Sequence, residues 1–437
     1  MLKKAVKKFL SVVLATAMVV SSITVYGASV KVPEDRVLTS VKEYSIAPGI
    51  KEKHITTVDK DGNNQVQAYM AEVDLKTSSI GMMAGYKNYD KTGKWGMQTV
   101  RDQAKAAEKA TGKTIVAAIN GDYFDMGTGQ PWGSLVMGGD IVQTQNGYPY
   151  FAIMKDGTAD CREAYEPLDD VVEAIGSPFF LVKDGKALEE LAADPYAMPR
   201  CAVGIKADGS VIIYEADGRQ APKSCGQSLY ETAKQMEAMG CVEALYLDGG
   251  GSATFASRTE GTDSLEVKNS PSDGTERKVS SSLFIYSDAK ANGEFDHATI
   301  SPLEEVYTPG STVQFEAKGV DSAGSKADLP KDATFVLKDD SFGTIDGTTG
   351  QFVSNGTEGT VEVQLKSGDK VVGSTTIEVR KPDSITFVND EVNLGFEEET
   401  DLGLTVKWNN RQVNYVDGDF IWTTENVTDA NKQPSDL

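Results

Sequence analysis

The feature that most constrains the fold is a helix followed by a short apolar strand and a polar turn with glycine, and this order occurs twice. In the first unit, residues 97–110 have the apolar spacing of an amphipathic helix, and residues 114–119 form an apolar strand that ends in Asn-Gly. In the second unit, a capping box at Ser228 begins the helix, and the apolar strand 242–247 ends at Asp248. Ligand sites in sheets that alternate with helices favour such strand ends, so we expect the two ends to converge on one site. The pattern predicts an α+β catalytic domain with a mixed sheet.

After residue 288 the sequence changes to short alternating segments separated by glycine, aspartate, asparagine and serine. This texture is typical of an all-β sandwich, and it resembles bacterial Ig-like repeats. We therefore expect a signal peptide (1–27), an N-terminal extension (28–44), a catalytic domain (45–288), an Ig-like β-sandwich (296–381) and part of a second Ig-like module (382–437).

The beginning of the chain has the composition of a secretory signal peptide. A basic start precedes an apolar run from Phe9 to Val20, which is shorter than the roughly 20 residues needed to span a bilayer. Cleavage is expected after Gly27, and no later apolar run has spanning length. We therefore expect an exported protein, secreted or associated with the cell surface or cell wall, without a transmembrane segment after signal removal.

Charge and histidine content exclude several classes of function. A formal net charge of −22 argues against nucleic-acid binding, which requires clustered lysine and arginine. An anionic substrate must then be held by a few well-placed cations. The two histidines, His54 and His297, match none of the motifs below, so neither a histidine-based triad nor a histidine-rich metal site is expected. Acid–base chemistry falls to carboxylates, tyrosine, lysine or water, and no cofactor is expected, with a divalent-cation requirement left open.

Four cysteines lie in the middle of the chain, and none forms a Cys-x-x-Cys pair: Cys161, Cys201, Cys225 and Cys241. Export would permit disulfides. Small buried thiols are the alternative, and the sequence favours neither.

Three consecutive glycines after Asp248 are the sharpest local signal. Such a run costs backbone entropy and is useful where the main chain must approach a ligand closely and offer N–H groups to an anion. A tight turn capped by the aspartate is the structural alternative. The segment lacks the Gly-Lys-Ser/Thr of a Walker A loop, and Thr254 stands where a nucleophile elbow requires glycine.

Several other segments accompany the glycine run in order along the chain: NGDYFDMGTGQPWG at 120–133, RCAVG at 200–204, ADG at 216–218, LDGGGSATF at 247–255 and PSDGTER at 271–277. Together they resemble the phosphodiester glycosidase family over residues 45–287. The resemblance implies a hydrolase that cleaves the glycosidic bond of a sugar-1-phosphate diester, in an N-acetylglucosamine-1-phosphodiester or in a cell-wall or exopolysaccharide glycan. The chain departs from the family at Asp122, where glycine is frequent, and at Cys201, where threonine is frequent.

The chemistry of that reaction defines what the site must contain. The departing oxygen belongs to a phosphate monoester with a second pKa of about 6, so it needs protonation less than an alkoxide does. The site needs cations and N–H groups for the phosphate, and a carboxylate that activates water or supports the oxocarbenium-like centre. Asp248 is the first candidate for this carboxylate, Asp122 the second and Asp273 the third. The expected substrate contacts are Asn120, Thr128, Arg200, Gly249, Gly250, Gly251, Ser252, Thr254 and Arg277.

Each of these residues has a structural alternative. Arg200 and Arg277 match family positions and suit bidentate contact with phosphate, whereas an arginine beside an apolar strand is often part of an ion pair. Asp217 is expected in a hairpin turn. Tyr123 and Trp132 could stack on a sugar ring or pack in the core.

Three classes of function remain open. The first is a glycosidase that breaks the C–O bond of a sugar-1-phosphate diester. The second is a phosphodiesterase that breaks the P–O bond of a cell-surface polymer. The third is a glycan-binding surface protein without catalytic activity, displayed by the Ig-like modules.

Overall fold

The computed structural model describes residues 30–77, 79–144, 147–388 and 403–421. The expected signal peptide, residues 1–27, lies outside these ranges, as do parts of the expected second Ig-like module. Within the described ranges, no helix is long and apolar enough to cross a membrane.

The described residues up to Ser287 contain two α-helices, α1 (Val100–Thr111) and α2 (Leu229–Ala238). The strands in this first region are β1 (Arg36–Ala47), β2 (Ile50–Asp59), β3 (Val66–Val73), β4 (Ile80–Tyr86), β5 (Thr114–Asn120), β6 (Leu135–Met137), β7 (Asp140–Gln143), β8 (Tyr150–Met154), β9 (Ala159–Arg162), β10 (Val171–Gly176), β11 (Phe180–Lys183), β12 (Lys186–Ala187), β13 (Arg200–Lys206), β14 (Val211–Ala216), β15 (Cys241–Leu247), β16 (Phe255–Ser257), β17 (Glu266–Val267) and β18 (Ser281–Ser287).

The strands that follow form the second region: β19 (Phe295–Ser301), β20 (Glu305–Tyr307), β21 (Thr312–Gln314), β22 (Glu316–Asp321), β23 (Lys326–Ala327), β24 (Thr334–Leu337), β25 (Gly343–Ile345), β26 (Gln351–Ser354), β27 (Gly359–Ser367), β28 (Lys370–Val379), β29 (Ser384–Phe387), β30 (Leu404–Trp408) and β31 (Arg411–Asn414).

The ends of both helices follow from their capping residues. α1 begins three residues later than its apolar pattern predicts, because the Thr99 hydroxyl accepts the Asp102 backbone N–H at 3.2 Å. It ends at Gly112, whose φ of 72° is a left-handed conformation that glycine adopts readily. α2 begins at the predicted capping box, in which Ser228 and Glu231 exchange side chain–backbone hydrogen bonds.

The first region contains three sheets, and every strand pair described in them is antiparallel. The strand orders are β1-β2-β3-β14-β13-β15-β11-β12, β17-β16-β5-β18-β4 and β7-β6-β10-β8-β9. The predicted mixed sheet is therefore wrong. α1 leads from β4 to β5 and α2 leads from β14 to β15, as in parallel crossovers, but β18 and β13 lie between the strands of each pair. Each intervening strand runs antiparallel to both of its neighbours.

The eight-stranded sheet and the β5 sheet share a core, and each carries one helix on its other face. Alternate residues of β15 show the arrangement, since successive side chains of a strand point to opposite faces. Leu245 and Leu247 enter the core shared by the sheets, whereas Ala244 and Tyr246 face α2. α1 packs its apolar stripe against β5 and β18. Burial contributes about 1.5–3 kcal/mol for each large apolar side chain, and this shared core holds the ends of β5 and β15 together.

The boundary expected at residue 45 falls inside a strand. β1 pairs with β2, with Val41 opposite Ile55, and both side chains are buried in the core beside α2. Residues 36–44 are therefore the edge strand of the eight-stranded sheet and part of the first domain, not an extension that precedes it.

The described chain after β18 is all-β, as the sequence predicts, and has a core of its own around Phe315, Phe352 and Val363. β20 pairs in parallel with both β28 and β31, so the strand order β24-β27-β28-β20-β31-β30-β29 forms one sheet. The described part of residues 382–437 thus continues the sheet of the preceding segment, and its assignment to a second Ig-like module stays a prediction. The Ig-like identity of this region stays a prediction.

Polar contacts join the two regions. Lys42 Nζ lies 3.2 Å from Glu305 Oε1, and both side chains are about one-third exposed. Glu260 accepts a hydrogen bond from Ser45 at 2.7 Å and lies 3.1 Å from His297 Nε2. Since the two regions have separate cores and meet through polar groups, their interface resembles those between independently folding domains.

The structure decides between disulfides and free thiols for the four cysteines. All four lie in the described part of the chain and are free thiols, and Cys161, Cys201 and Cys241 are buried. Burial raises the pKa of each of these three thiols above its usual value, so they are poor nucleophiles. They serve as small apolar residues of the core.

We predict that a truncated protein spanning residues 30–290 folds and keeps turnover on a small soluble substrate, because the cores that fix the site contain no residue after β18. Thermal denaturation and initial rates, compared with the full chain, test this. Loss of turnover in a truncated protein that still unfolds cooperatively would contradict it.

Candidate active site

The site is built where β5 and β15 end, although the two strands belong to different sheets. The Nδ2 atom of Asn120 donates to the Asp248 carbonyl oxygen at 2.6 Å, and the Asp248 N–H donates to the Gly121 carbonyl oxygen at 2.8 Å. The predicted convergence of the strand ends is confirmed. Asn120 is fully buried, and its Oδ1 accepts the Thr254 N–H at 3.0 Å. Asn120 and Thr254 therefore tie the strand ends together, in place of the substrate contacts expected of them.

The three glycines allow close packing around the turn. Gly249 is extended, and a Cβ atom there would lie 2.6 Å from the Pro199 carbonyl oxygen. Gly250 has a φ of 60°, and its N–H donates to the same carbonyl at 2.9 Å. A Cβ at Gly251 would collide with the Arg277 guanidinium group. Glycine is needed here for close approach, as expected, but the Gly250 amide is already used within the protein.

The Asp248 carboxylate is half-buried at the head of this turn. Burial raises its pKa to about 6, opposed by a hydrogen bond from the Ser252 hydroxyl, the nearby Arg277 charge and the Gly249 N–H. A carboxyl group whose pKa is raised towards neutral pH is a candidate for proton transfer. The Gly249 and Ser252 groups therefore hold Asp248 in this structure.

Arg277 lies against the turn and is held by Asp273. Its Nε donates to Asp273 Oδ2 at 2.8 Å, and its Nη1 lies 3.4 Å from the Ser252 hydroxyl. About one-third of the guanidinium side chain is exposed, so it can still contact a ligand. Asp273 is exposed and paired, and the arrangement assigns it to positioning Arg277, not to the catalytic role for which it was the third candidate.

A second cation, Arg219, was not predicted. Its guanidinium group would lie 3.3 Å from a Cβ at Gly250, and the side chain is exposed. Among the described residues it has no ion-pair partner, and its Nη2 contacts the Met198 sulfur at 3.0 Å. Its φ of 61° is unusual for a residue other than glycine and is often found at functional sites. Its position directly after the Ala-Asp-Gly motif was the available sequence signal.

The hairpin expected at Asp217 is not formed. Asp217 is buried, and both of its carboxylate oxygens accept the Ser270 N–H, at 2.9 and 3.0 Å. It anchors the segment that leads to Asp273 and Arg277, and its role is structural. Burial raises its pKa to about 6.

Arg200 is almost completely buried, and protein groups surround its guanidinium. Its Nε donates to the Gln227 carbonyl at 2.9 Å and its Nη2 to the Tyr196 carbonyl at 2.7 Å. Nη1 donates to the Tyr246 hydroxyl at 3.2 Å. These partners leave Arg200 poorly placed for the direct phosphate contact expected of it, and they favour its structural alternative.

Asp122 lies deeper than Asp248, with 2% of its surface exposed. Its Oδ2 accepts the Gly133 N–H at 2.5 Å, whereas its buried Oδ1 has no hydrogen-bond partner among the described residues. Cβ atoms at Gly133 or Gly176 would press on this carboxylate, so both glycines make room for it. Burial raises the pKa of Asp122 to about 7, against several backbone hydrogen bonds, and the Asp248 charge raises it further.

The remaining predicted contacts divide between the site and its surroundings. The Thr128 hydroxyl donates to Asp125 at 2.9 Å within an exposed turn, which differs from the expected substrate contact. Tyr123 lies near the Asp248 charge and hydrogen-bonds Tyr246. Trp132 packs edge-on against Tyr123, with ring centroids 5.3 Å apart, and is 44% exposed.

Part of the chain is similar to known proteins. Residues 113–286 match the family model of phosphodiester glycosidases. A mouse N-acetylglucosamine-1-phosphodiester alpha-N-acetylglucosaminidase is 29% identical over 161 residues, 32% of this chain and 31% of that protein. The SPbeta prophage-derived uncharacterized protein YomE of Bacillus subtilis strain 168 is 26% identical over 285 residues, 60% of this chain and 42% of that protein. The catalytic domain of the zebrafish N-acetylglucosamine-1-phosphodiester alpha-N-acetylglucosaminidase, auto-inhibited by its pro-peptide, aligns with a TM-score of 0.45 at 22% identity, over 57% of this chain and 88% of that chain.

Residues 113–286 are therefore similar to a phosphodiester glycosidase domain. The matched segment begins directly before β5 and ends within β18, so it contains Asp122, Asp248 and both exposed arginines of the turn. It is shorter than the predicted resemblance over residues 45–287, because β1 to β4 lie outside it. The chain spans about a third of the length of the mouse enzyme that it matches.

The glycosidase domain shows no group of three or more histidine, cysteine, aspartate or glutamate side chains arranged to hold a metal ion, among the residues described.

Lysine substitutions at Arg200 and Arg277 should distinguish the structural role of the first from the phosphate-binding role expected of the second. Arg200→Lys should lower the free energy of unfolding by about 2–3 kcal/mol, because buried carbonyl acceptors lose their partners. Arg277→Lys should lower kcat/KM by about 10-fold or more with little change in Tm, because the planar fork is lost while the charge is kept. Thermal denaturation and initial rates on a sugar-1-phosphate diester measure both. Full activity with lowered stability in Arg277→Lys would remove Arg277 from phosphate binding.

The stability of the Asp122→Asn variant relative to the wild-type protein should increase as the pH rises. The folded-state pKa of Asp122 is raised to about 7, so the wild-type protein loses stability between about pH 4 and pH 7 as this group is forced to ionise in the interior. Asparagine keeps an acceptor for Gly133 and does not ionise. The Tm difference between variant and wild type should grow by on the order of 5 °C from pH 5 to pH 8. A difference independent of pH would contradict the raised pKa.

Proposed function

We propose that this protein is an exported hydrolase that breaks the glycosidic C–O bond of a sugar-1-phosphate diester. The observation that carries the proposal is the turn after β15, where a half-buried carboxylate, Asp248, lies beside a turn on which the guanidinium groups of Arg219 and Arg277 converge. A carboxylate next to paired cations suits a substrate that joins a sugar to a phosphate.

Arg277 and Arg219 bind the phosphate in this proposal. Asp273 aligns Arg277, which leaves its exposed edge for two parallel hydrogen bonds to phosphate oxygens. Arg219 adds a second positive charge above Gly250. As the phosphate departs its negative charge grows, so both cations bind the transition state more tightly than the ground state.

Asp248 activates the water molecule. The water oxygen bonds to the anomeric carbon, the bond from this carbon to the phosphate oxygen breaks, and the phosphate monoester leaves with the electron pair. The proton from water passes to the Asp248 carboxylate and then to solvent. Ser252, which contacts both Asp248 and Arg277, keeps the base at a fixed distance from the phosphate site.

Asp122 is a positioning residue in this scheme. Its carboxyl is too deeply buried to touch a substrate, and it holds the backbone of Gly133 next to Trp132. Because a phosphate monoester is a good leaving group, the reaction can proceed without a strong general acid.

Substrate identity and location follow from weaker observations. The name of the mouse relative makes N-acetylglucosamine-1-phosphodiesters the first substrates to test, and phosphodiester-linked cell-wall or exopolysaccharide glycans the second. The proposal includes secretion, because the first residues have the composition of a signal peptide, and association with the cell wall through the all-β region.

Hydrolysis in ¹⁸O-labelled water tests the bond that is broken. The proposal requires the label in the sugar product, as mass spectrometry would show. Label in the phosphate would establish the competing phosphodiesterase function, which breaks the P–O bond. Binding of the diester without any turnover would favour the third class, a non-catalytic glycan-binding protein.

Asp248→Asn should abolish hydrolysis while the protein stays folded and still binds its ligand. Asparagine is nearly isosteric and keeps an acceptor oxygen, so a purely capping role would cost only about 1 kcal/mol. An amide cannot take a proton from water, so the rate should fall by about 100-fold or more. Turnover, Tm and calorimetric affinity are measured together. Near-normal turnover would remove Asp248 from catalysis, whereas a collapsed Tm would assign it a structural role.

The acid limb of the pH–rate profile should report the ionisation of Asp248. The folded-state pKa is raised to about 6, so kcat/KM should fall as the pH drops through about 6 and the base becomes protonated. The Arg277 charge lowers this pKa, so Arg277→Gln should move the acid limb to higher pH. Arg101→Gln is the matched control, because Arg101 pairs with the neighbouring Glu276 and lies outside the groups that shift Asp248. If the acid limb does not move in Arg277→Gln, it does not report the ionisation of Asp248.

A further inference from the structure

A row of aromatic rings leads from the glycine turn to the surface. Tyr246 stands at its buried end, with its hydroxyl close to Gly249. Tyr123 follows at 6.0 Å between ring centroids, Trp132 at a further 5.3 Å and Tyr148 at a further 6.0 Å. The exposed fraction rises from 1% at Tyr246 to 44% at Trp132. The row is therefore continuous with the site and open to solvent at its outer end.

The backbone around Trp132 is fixed by hydrogen bonds, and its ring packs against Tyr123 and Tyr148. The Gln143 side-chain amide donates to the Pro131 carbonyl at 2.5 Å and to the Gly133 carbonyl at 2.8 Å. The Trp132 N–H donates to the Tyr123 carbonyl at 2.8 Å. A large apolar ring that is fixed while exposed loses little conformational entropy when a ligand covers it.

Arg277 and the exposed aromatic rings lie on opposite sides of Asp248. Asp248 contacts Ser252 on the side of Arg277, and its charge acts on Tyr123 on the side of Trp132. A substrate with its phosphate at Arg277 and its anomeric carbon at Asp248 would direct its sugar towards Tyr123. Anything attached to the far side of that sugar would lie along Trp132 and Tyr148.

We propose that Trp132 and Tyr148 form a subsite for a second sugar ring, so that the preferred substrate is an oligosaccharide or polysaccharide chain carrying the phosphodiester at its reducing end. This inference rests on the proposed function and names its substrate class. The apolar face of a pyranose covers the tilted pair of rings, whose planes differ by 33°. The exposed Gln130 amide, which donates to Gln143 Oε1 at 2.8 Å, is suited to the hydroxyl groups of a sugar.

Two substrates that differ only in chain length test the subsite. One is the methyl diester of N-acetylglucosamine 1-phosphate, and the other carries the same phosphodiester on the reducing end of an N-acetylglucosamine trisaccharide. In the full-length protein, Trp132→Ala should raise KM for the trisaccharide diester by about 10-fold and leave kcat and the monosaccharide diester within about 2-fold. Tyr148→Ala should act in the same direction with a smaller effect, and Trp132→Phe should restore most of the loss.

Tyr165→Ala is the control, because Tyr165 is 76% exposed in the same domain and outside the described ring contacts of Trp132 and Tyr148. Tyr165→Ala should leave kcat and KM unchanged for both substrates. An equal loss on both substrates in Trp132→Ala, or no loss on either, would overturn the subsite.

Failure of the proposed function is recognised separately, as the absence of turnover on both substrates by the wild-type protein. Calorimetric binding of the free trisaccharide then decides the subsite. Binding that Trp132→Ala and Tyr148→Ala weaken, and Tyr165→Ala does not, supports it. No binding by the wild-type protein, or binding that these variants leave unchanged, rejects it.

Discussion

The geometry of the site depends on one buried amide that joins two sheets. Asn120 ends β5 in one sheet, and its side chain bonds the Asp248 carbonyl at the end of β15 in the other and the N–H of Thr254. Because Asn120 is shielded from water, leaving either partner unpaired would cost about 1–3 kcal/mol. This cost fixes the distance between the strand ends and the glycine turn. The backbone of Asp248 is therefore placed by the ends of two sheets, and Gly249 and Ser252 of the turn hold its carboxylate.

Close packing around this contact makes the site reactive and also makes it unstable. Gly251 allows the Arg277 guanidinium to rest on the backbone, and Gly133 and Gly176 leave space for Asp122. The same packing removes water from the carboxyl groups, which raises the pKa of Asp248 to about 6 and that of Asp122 to about 7. At neutral pH the folded protein must then hold these groups ionised at a cost. A base that titrates near neutral pH is obtained from the same desolvation that weakens the fold.

Local sequence patterns predicted the helices and strands well, but they did not predict which strands pair with each other. The capping box, both helices and the strands ending at Asn120 and Leu247 follow from residue spacing that acts within a few residues. The antiparallel sheets depend on β13 and β18, which insert between strands that the helices connect, and helix–strand order does not encode this long-range pairing. For the same reason the sequence singled out Arg277 and Arg200 alike and could not separate them, because Arg200 meets the Gln227 carbonyl and the Tyr246 hydroxyl, which are distant in the sequence. Arg219 was missed because its importance lies in its approach to Gly250.

The net charge of −22 gives the two exposed arginines a particular importance. The acidic surface offers no long-range attraction to a phosphodiester, so recognition must come from contacts at short range. At Arg277 and Arg219 a phosphate gains two cationic partners, whereas a neutral glycoside leaves both cations without one and gains nothing in return. In the proposed reaction the same two groups would stabilise the departing phosphate, whose low second pKa removes the need for a strong acid. Selectivity for the phosphate and acceleration of its departure would then arise from one pair of side chains, and a site with one accessible carboxylate would suffice.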